Sequence, residues 1–133
     1  VSGPLLDRID IHVEAPAVRV DDLQDNRLGE SSYDIRNRIQ KCRAIQAKRY
    51  QENKLLSNAN ITNKMLVKYC KIGTKEAAIL KRAMNELSLS ARAYDKILKV
   101  SRTIADLADS ENIEMNHLLE AIQYRSLDRS LIL

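Results

Sequence analysis

Two arginines occupy positions where a fixed cation could act on phosphate. Arg8 follows the turn-forming run Ser2-Gly3-Pro4 and directly precedes an alternating stretch, so a rigid element would hold it. A guanidinium stays charged and offers a fork of donors matched to phosphate oxygens. Supplied to a neighbouring subunit, such a group can stabilise the charge of phosphoryl transfer. Arg92 follows Ser90, a helix N-cap residue type, and so falls in a first helical turn. A cation there opposes the helix dipole by roughly 0.3–1 kcal/mol, which hints at an anionic partner. Each has a plainer reading. Arg8 would pair with Asp7 or Asp10, and Arg92 would be a surface residue with a small tolerated cost. On the residues alone the plainer reading prevails.

Little else in the chain suggests chemistry. It has 3 Gly, too few for a phosphate-cradling loop, and neither G-x-x-x-x-G-K-[ST] nor G-x-G-x-x-G occurs. His12 and His117 are far apart and have no partner histidine at helical spacing; both are expected at the surface or a boundary. Cys42 and Cys70 form no C-x-x-C pair, which leaves two buried thiols in a reducing, cytoplasmic setting as the expectation. A self-contained enzyme is not expected.

The elements that must position these groups follow from composition and periodicity. The 133 residues suit one domain with an appended segment, and 44% apolar with 30% charged residues is a globular composition. No Phe, no Trp and 2 Pro argue against a β-sandwich or barrel. No apolar run is long enough for a membrane span, and the first residues do not resemble a signal peptide. The net charge of +4 is uneven: residues 31–82 carry thirteen basic and three acidic groups, between acidic ends. Such a block can attract nucleic acid, or it can be a solvated helix face.

Ile9, Ile11 and Val13 alternate with Asp10, His12 and Glu14, which predicts a short strand ended by Pro16. A lone strand is not stable, and no second strand is evident. The chain therefore reads as a fragment beginning at the last strand of a larger domain. Residues 17–30, with Asp21, Asp22, Asp25, Asn26 and Gly29, read as a linker. From Ser31 the pattern is helical. Ser31 or Ser32 would cap a helix reaching about Asn53, with Ile35, Ile39, Cys42 and Ile45 or Gln46 inward. Thr62 would cap a short helix with Met65, Leu66, Tyr69 and Cys70 inward, closed by Gly73. Thr74, Ser90 and Asn116 would cap three more. Their apolar faces are Ile79, Leu80, Ala83, Met84 and Leu87, then Tyr94, Ile97, Leu98, Ser101, Ile104, Ala105 and Ala108, then Leu118, Leu119, Ala121 and Ile122. The expected fold is mainly α: a bundle of four or five helices over 31–125, preceded by one orphan strand and a loop in 1–30 and followed by a flexible tail, 126–133.

Several long strings carry a resemblance. Ser2-Gly3-Pro4-Leu5-Leu6-Asp7-Arg8-Ile9-Asp10 resembles the post-sensor segment of the magnesium-chelatase-like AAA+ ATPases, of the competence-associated ComM/YifB type. Gly29-Glu30-Ser31-Ser32 and the Ile35-Arg36 helix resemble the segment that follows. Leu87-Ser88-Leu89-Ser90-Ala91-Arg92-Ala93-Tyr94, with Ile97 to Leu107, is similar to the lid segment holding the sensor-2 arginine. His117 to Arg125 resembles the closing helix, while 55–85 match in pattern only.

The resemblance implies the end of an ATPase core plus its C-terminal helical lid, inactive alone. Arg8 would be the arginine finger acting on a neighbouring subunit's site, and Arg92 would be sensor 2, acting on its own subunit's site or on a neighbour's. It implies ATP and Mg²⁺ in the full-length protein, held by the missing portion and not by this fragment. It implies a hexameric ring with that core and neighbouring subunits as partners, and no membrane. It also implies a DNA-processing role in transformation as a branch-migration motor, rather than porphyrin metallation. Arg36, Arg38, Arg43, Lys64 and Lys68 are the candidates for DNA phosphate. Tyr33, Tyr50 and Tyr69 form no evident stacking platform. The alternative is a free-standing basic helical nucleic-acid-binding module; a third option is a protein-interaction bundle.

Overall fold

The computed structural model describes residues 3–55 and 57–125, and these form seven α-helices and two 3₁₀ turns, with no strand among them. Helices α1 (Gly3–Arg8) and α2 (Val20–Leu23) are short. Helix α3 (Ser32–Arg49) leads through turns at Gln51–Asn53 and Asn58–Asn60 to α4 (Asn63–Tyr69). Helices α5 (Thr74–Glu86), α6 (Ala91–Leu107) and α7 (Met115–Gln123) complete the bundle.

Helix α6 is the axis of the fold, and α7, α3, α4 and α1 all pack against it. Its inward stripe buries Ala93, Ile97, Leu98, Ser101 and Ala105. Around it the core gathers Tyr50, Ile61, Leu66, Cys70, Leu80, Ile113, Leu118 and Ala121. Tyr50 and Tyr69 meet edge-to-face at 5.2 Å, so two tyrosines of the basic stretch serve the core, while Tyr33 is exposed. Three helices begin as their sequence dictates: the Oγ of Ser31, Thr62 and Ser90 accepts from the amide of Asp34, Met65 and Ala93.

Other expectations need correction. Residues 9–13 form no strand: without a partner strand, alternation alone cannot close a ladder. Its faces are inverted, with Ile9, Ile11 and Val13 exposed and His12 buried. Gly73 does not close α4. Its φ is −71°, and it is the N-cap of α5 in place of Thr74. Helices α5 and α6 instead end on left-handed Ser88 and Asp109, with φ of 50° and 54°. Glu114, not Asn116, caps α7, and buried His117 completes the box by accepting the Glu114 amide at Nδ1. Arg102 and Asp106 join the buried stripe of α6, whereas Tyr94 and Ala108 are exposed. The first half of α3 buries nothing, and every residue from 13 to 41 is exposed, Ile35 and Ile39 among them. The predicted tail, 126–133, lies outside the described residues.

Candidate functional site

The site is built where the amino-terminal segment docks on α6 and α7. Helix α1 ends at Arg8, and the residues on either side of it are tied down. The Ser90 hydroxyl donates to Asp7 Oδ1 at 2.6 Å, so the N-cap of α6 also anchors α1. Lys96, one helical turn beyond Arg92, pairs with Asp10. The His12 amide donates to the Tyr124 carbonyl at 2.8 Å, and its Nε2 donates to the Leu6 carbonyl at 2.8 Å. Arg125, just past α7, donates to the carbonyls of Ile9 and Asp7, and its guanidinium lies 3.7 Å from Asp7 Oδ1.

These ties create a groove of about 790 Å³ that holds both Arg8 and Arg92. Both residues are exposed. Among the described residues neither makes an ion pair. The plainer reading of Arg8 thus gives way: Asp7 faces Ser90 and Arg125, and Asp10 faces Lys96. Arg92 lies in the first turn of α6 as expected, where no acidic residue offsets it. Lys99 also lines the groove, with Asp95 and Glu120 on its walls. The arrangement offers two forks of N–H donors to an anion arriving from outside.

A second polar centre lies between α3, the Asn58–Asn60 turn and α6. The carboxylate of Asp106, fully buried, accepts from Arg49 at 2.6 and 2.9 Å, from Arg102 Nε at 3.2 Å and from Asn58 Nδ2 at 3.0 Å. Arg102 also donates to the carbonyls of Ser110 and Glu111 at 2.7 and 2.9 Å, closing the end of α6. Asn58 receives the Tyr50 hydroxyl and gives its amide to Gln46 Oε1 at 2.9 Å. The hydrogen bonds to Asp106 hold Arg49 more firmly protonated than usual. Burial pushes the Cys70 thiol up to about 11 and raises Cys42 as well. With each nitrogen of the Arg102 guanidinium engaged, this centre is a structural knot rather than a reactive one.

The five candidate DNA contacts sit elsewhere. Arg36, Arg38 and Arg43 lie on exposed turns of α3, and Lys64 and Lys68 are exposed on α4. Arg38 pairs with Glu30, and Lys68 stands over the Tyr69 ring at 5.0 Å. None of the five lines the groove of Arg8 and Arg92. Sequence reasoning missed Asp7, His12 and Arg125 as parts of the site. Their partners lie up to 118 residues away, beyond any local periodicity, and the strings that hold Asp7 and Arg125 do not show that the two meet. Among the described residues no His, Cys, Asp and Glu cluster could hold a metal ion, and no helix is long and apolar enough to cross a membrane.

Comparison with known proteins adds relatives to this geometry. The profile of the family described as magnesium chelatase, subunit ChlI C-terminal, matches residues 29–125. The chain is 43% identical over 98% of its length to the competence protein ComM of Haemophilus influenzae, covering 25% of that protein. It is 40% identical over 99% of its length to the YifB protein of Escherichia coli and 38% identical to that of Salmonella typhimurium, covering 26% of each. The chain thus spans about a quarter of the length of these curated relatives.

Proposed function

Since the chain belongs to the magnesium chelatase subunit ChlI C-terminal family, we propose that it is the helical lid of a ring-forming ATPase and lends two arginines to ATP hydrolysis. The observation that carries this reading is that Arg8 and Arg92, 84 positions apart, share one groove and face outward. Arg8 is the arginine finger and Arg92 is sensor 2. Because both open onto the same groove, both serve one nucleotide, bound by a neighbouring subunit.

The chain's own residues fit contact with nucleotide phosphate but not the cradling of it. The nucleotide-binding glycine loop and the Mg²⁺ ligands we assign to the rest of the full-length protein, since this chain spans about a quarter of the length of its curated relatives. That portion supplies ATP and Mg²⁺; this chain supplies charge and position. Residues 31–125 are the lid domain, in keeping with the family match from residue 29. Residues 1–30 are the last stretch of the core and a linker. The exposed alternation of Ile9, Ile11 and Val13 suits pairing with that core sheet.

The cellular role we propose is DNA processing by a hexameric motor in the cytoplasm. The relative named a competence protein supports it, as does the basic stretch exposed on α3 and α4. In the full-length protein, Arg8→Ala should abolish hydrolysis while leaving nucleotide binding largely intact. Arg92→Ala should weaken coupling between nucleotide and lid. Unimpaired turnover in the first variant refutes the finger. Unchanged nucleotide affinity and ATPase rate in the second refute sensor 2.

A further inference from the structure

Arg125 is 1% exposed, and no larger side chain in the described residues is so completely buried. A buried guanidinium gives up its water and must recover those hydrogen bonds from protein acceptors. Here the acceptors are the carbonyls of Asp7 and Ile9, which bracket Arg8, and the Asp7 carboxylate stands close by. Asp7 in turn accepts from Ser90, whose Oγ caps the helix that carries Arg92. The His12 amide, bound to the Tyr124 carbonyl, fixes the far side of the same segment.

We propose that Arg125 and Asp7 are positioning residues that lock the backbone of Arg8 to the first turn of α6, so that finger and sensor move as one rigid unit. This rests on reading Arg8 as the finger. The chain of contacts runs from Arg125 through Asp7 to Ser90, and it skips the side chains of Arg8 and Arg92, which stay available for phosphate. Arg125 serves the two carbonyls from different arms of its fork, Nη1 to Ile9 and Nη2 to Asp7, a rigid two-armed reach that a compact ammonium does not reproduce.

The test uses the full-length protein and two variants. Arg125→Lys keeps the charge and loses the fork. Asp7→Asn keeps an acceptor for Ser90 and loses the charge facing Arg125, and it carries the test should Arg125→Lys fail to fold. Exchange of the His12 amide should accelerate in both variants while amides of α4 and α5 keep their protection. The kcat for ATP hydrolysis should fall by roughly 10- to 100-fold with KM within about 2-fold, as misplacement of a transition-state group requires. Unchanged His12 exchange overturns the proposal. So does wild-type kcat in a variant whose exchange is faster, provided Arg8→Ala is inactive. If Arg8→Ala itself turns over normally, the finger reading is what fails, and the exchange data still report on the tether separately.

Discussion

Asp106 grips Arg49 with both carboxylate oxygens, at 2.6 and 2.9 Å, across 57 residues of chain. The same carboxylate holds Arg102 at 3.1 Å, so one buried anion serves two cations on two helices. Removing it strands both. Asp106→Asn should cost roughly 3–5 kcal/mol, the scale for an uncompensated buried charge. In thermal unfolding this reads as a fall in Tm of about 10 °C or more. A loss below about 1 kcal/mol would show that water reaches the centre and shares its charge.

The two serine caps should differ in what they protect. Ser31 caps a half-helix that buries nothing, so that half can fray without the core. Ser31→Ala should change global stability by less than about 0.5 kcal/mol. Ser90 caps the central helix and also holds Asp7. Ser90→Ala should cost about 1–2 kcal/mol in urea unfolding. Equal losses at the two positions would mean that the exposed half of α3 folds cooperatively with the bundle.

Alkaline pH should weaken the fold in a defined window. Burial holds the proton on Cys70 to about 11, against 9.0 for the free thiol. Folded Cys70 thus keeps its proton where the unfolded chain has lost it. Its contribution is complete below pH 9.0 and drains as pH rises toward about 11. Cys42 and Tyr50 shift in the same direction through burial. Cys70→Ala should remove part of this decline, on the order of 2 kcal/mol across the window. The check is urea unfolding at pH 8 and pH 11, with the decline in stability compared between the variant and the unaltered chain.

DNA binding by the basic stretch should be visible in its salt dependence. If α3 and α4 touch phosphate, the chain should bind duplex DNA at low salt and release it steeply as salt rises. Arg36→Ala and Arg43→Ala each remove one cation, and each should lower the log–log slope by about 0.9. Binding should survive Arg8→Ala, since none of the five candidates lines that groove. Absence of binding at low salt would overturn the assignment of Arg36, Arg38, Arg43, Lys64 and Lys68 to DNA phosphate.

Local rules read well where the determinants were local. Ser31, Thr62 and Ser90 announce their helices, and the apolar spacing around Leu80, Leu66 and Leu118 marks the inward faces. Arg92 could be placed in a first turn for the same reason. The orphan strand failed because alternation says nothing about whether a partner strand is present. The helix boundaries at Gly73 and Glu114 failed because several residues nearby could cap. The polar stripe of Arg102 and Asp106 was illegible because charged residues at helical spacing read as a solvated face. Only pairing with Arg49 and Asn58, brought from far along the chain, makes their burial tolerable. Asp7 and Arg125 were hidden likewise, since each looks like an ordinary surface charge until the two ends of the chain meet.

The hydrogen bonds between Arg125 and the residues around Arg8 span 116 to 118 positions. A ribosome delivers Arg8 long before it delivers Arg125, and α3 to α6 emerge in the interval. The segment around Arg8 can meet Ser90 and Lys96 of α6 first, and it gains its remaining ties only once α7 has emerged. Full tethering of Arg8 therefore comes late, after the helices on which its segment rests have been made.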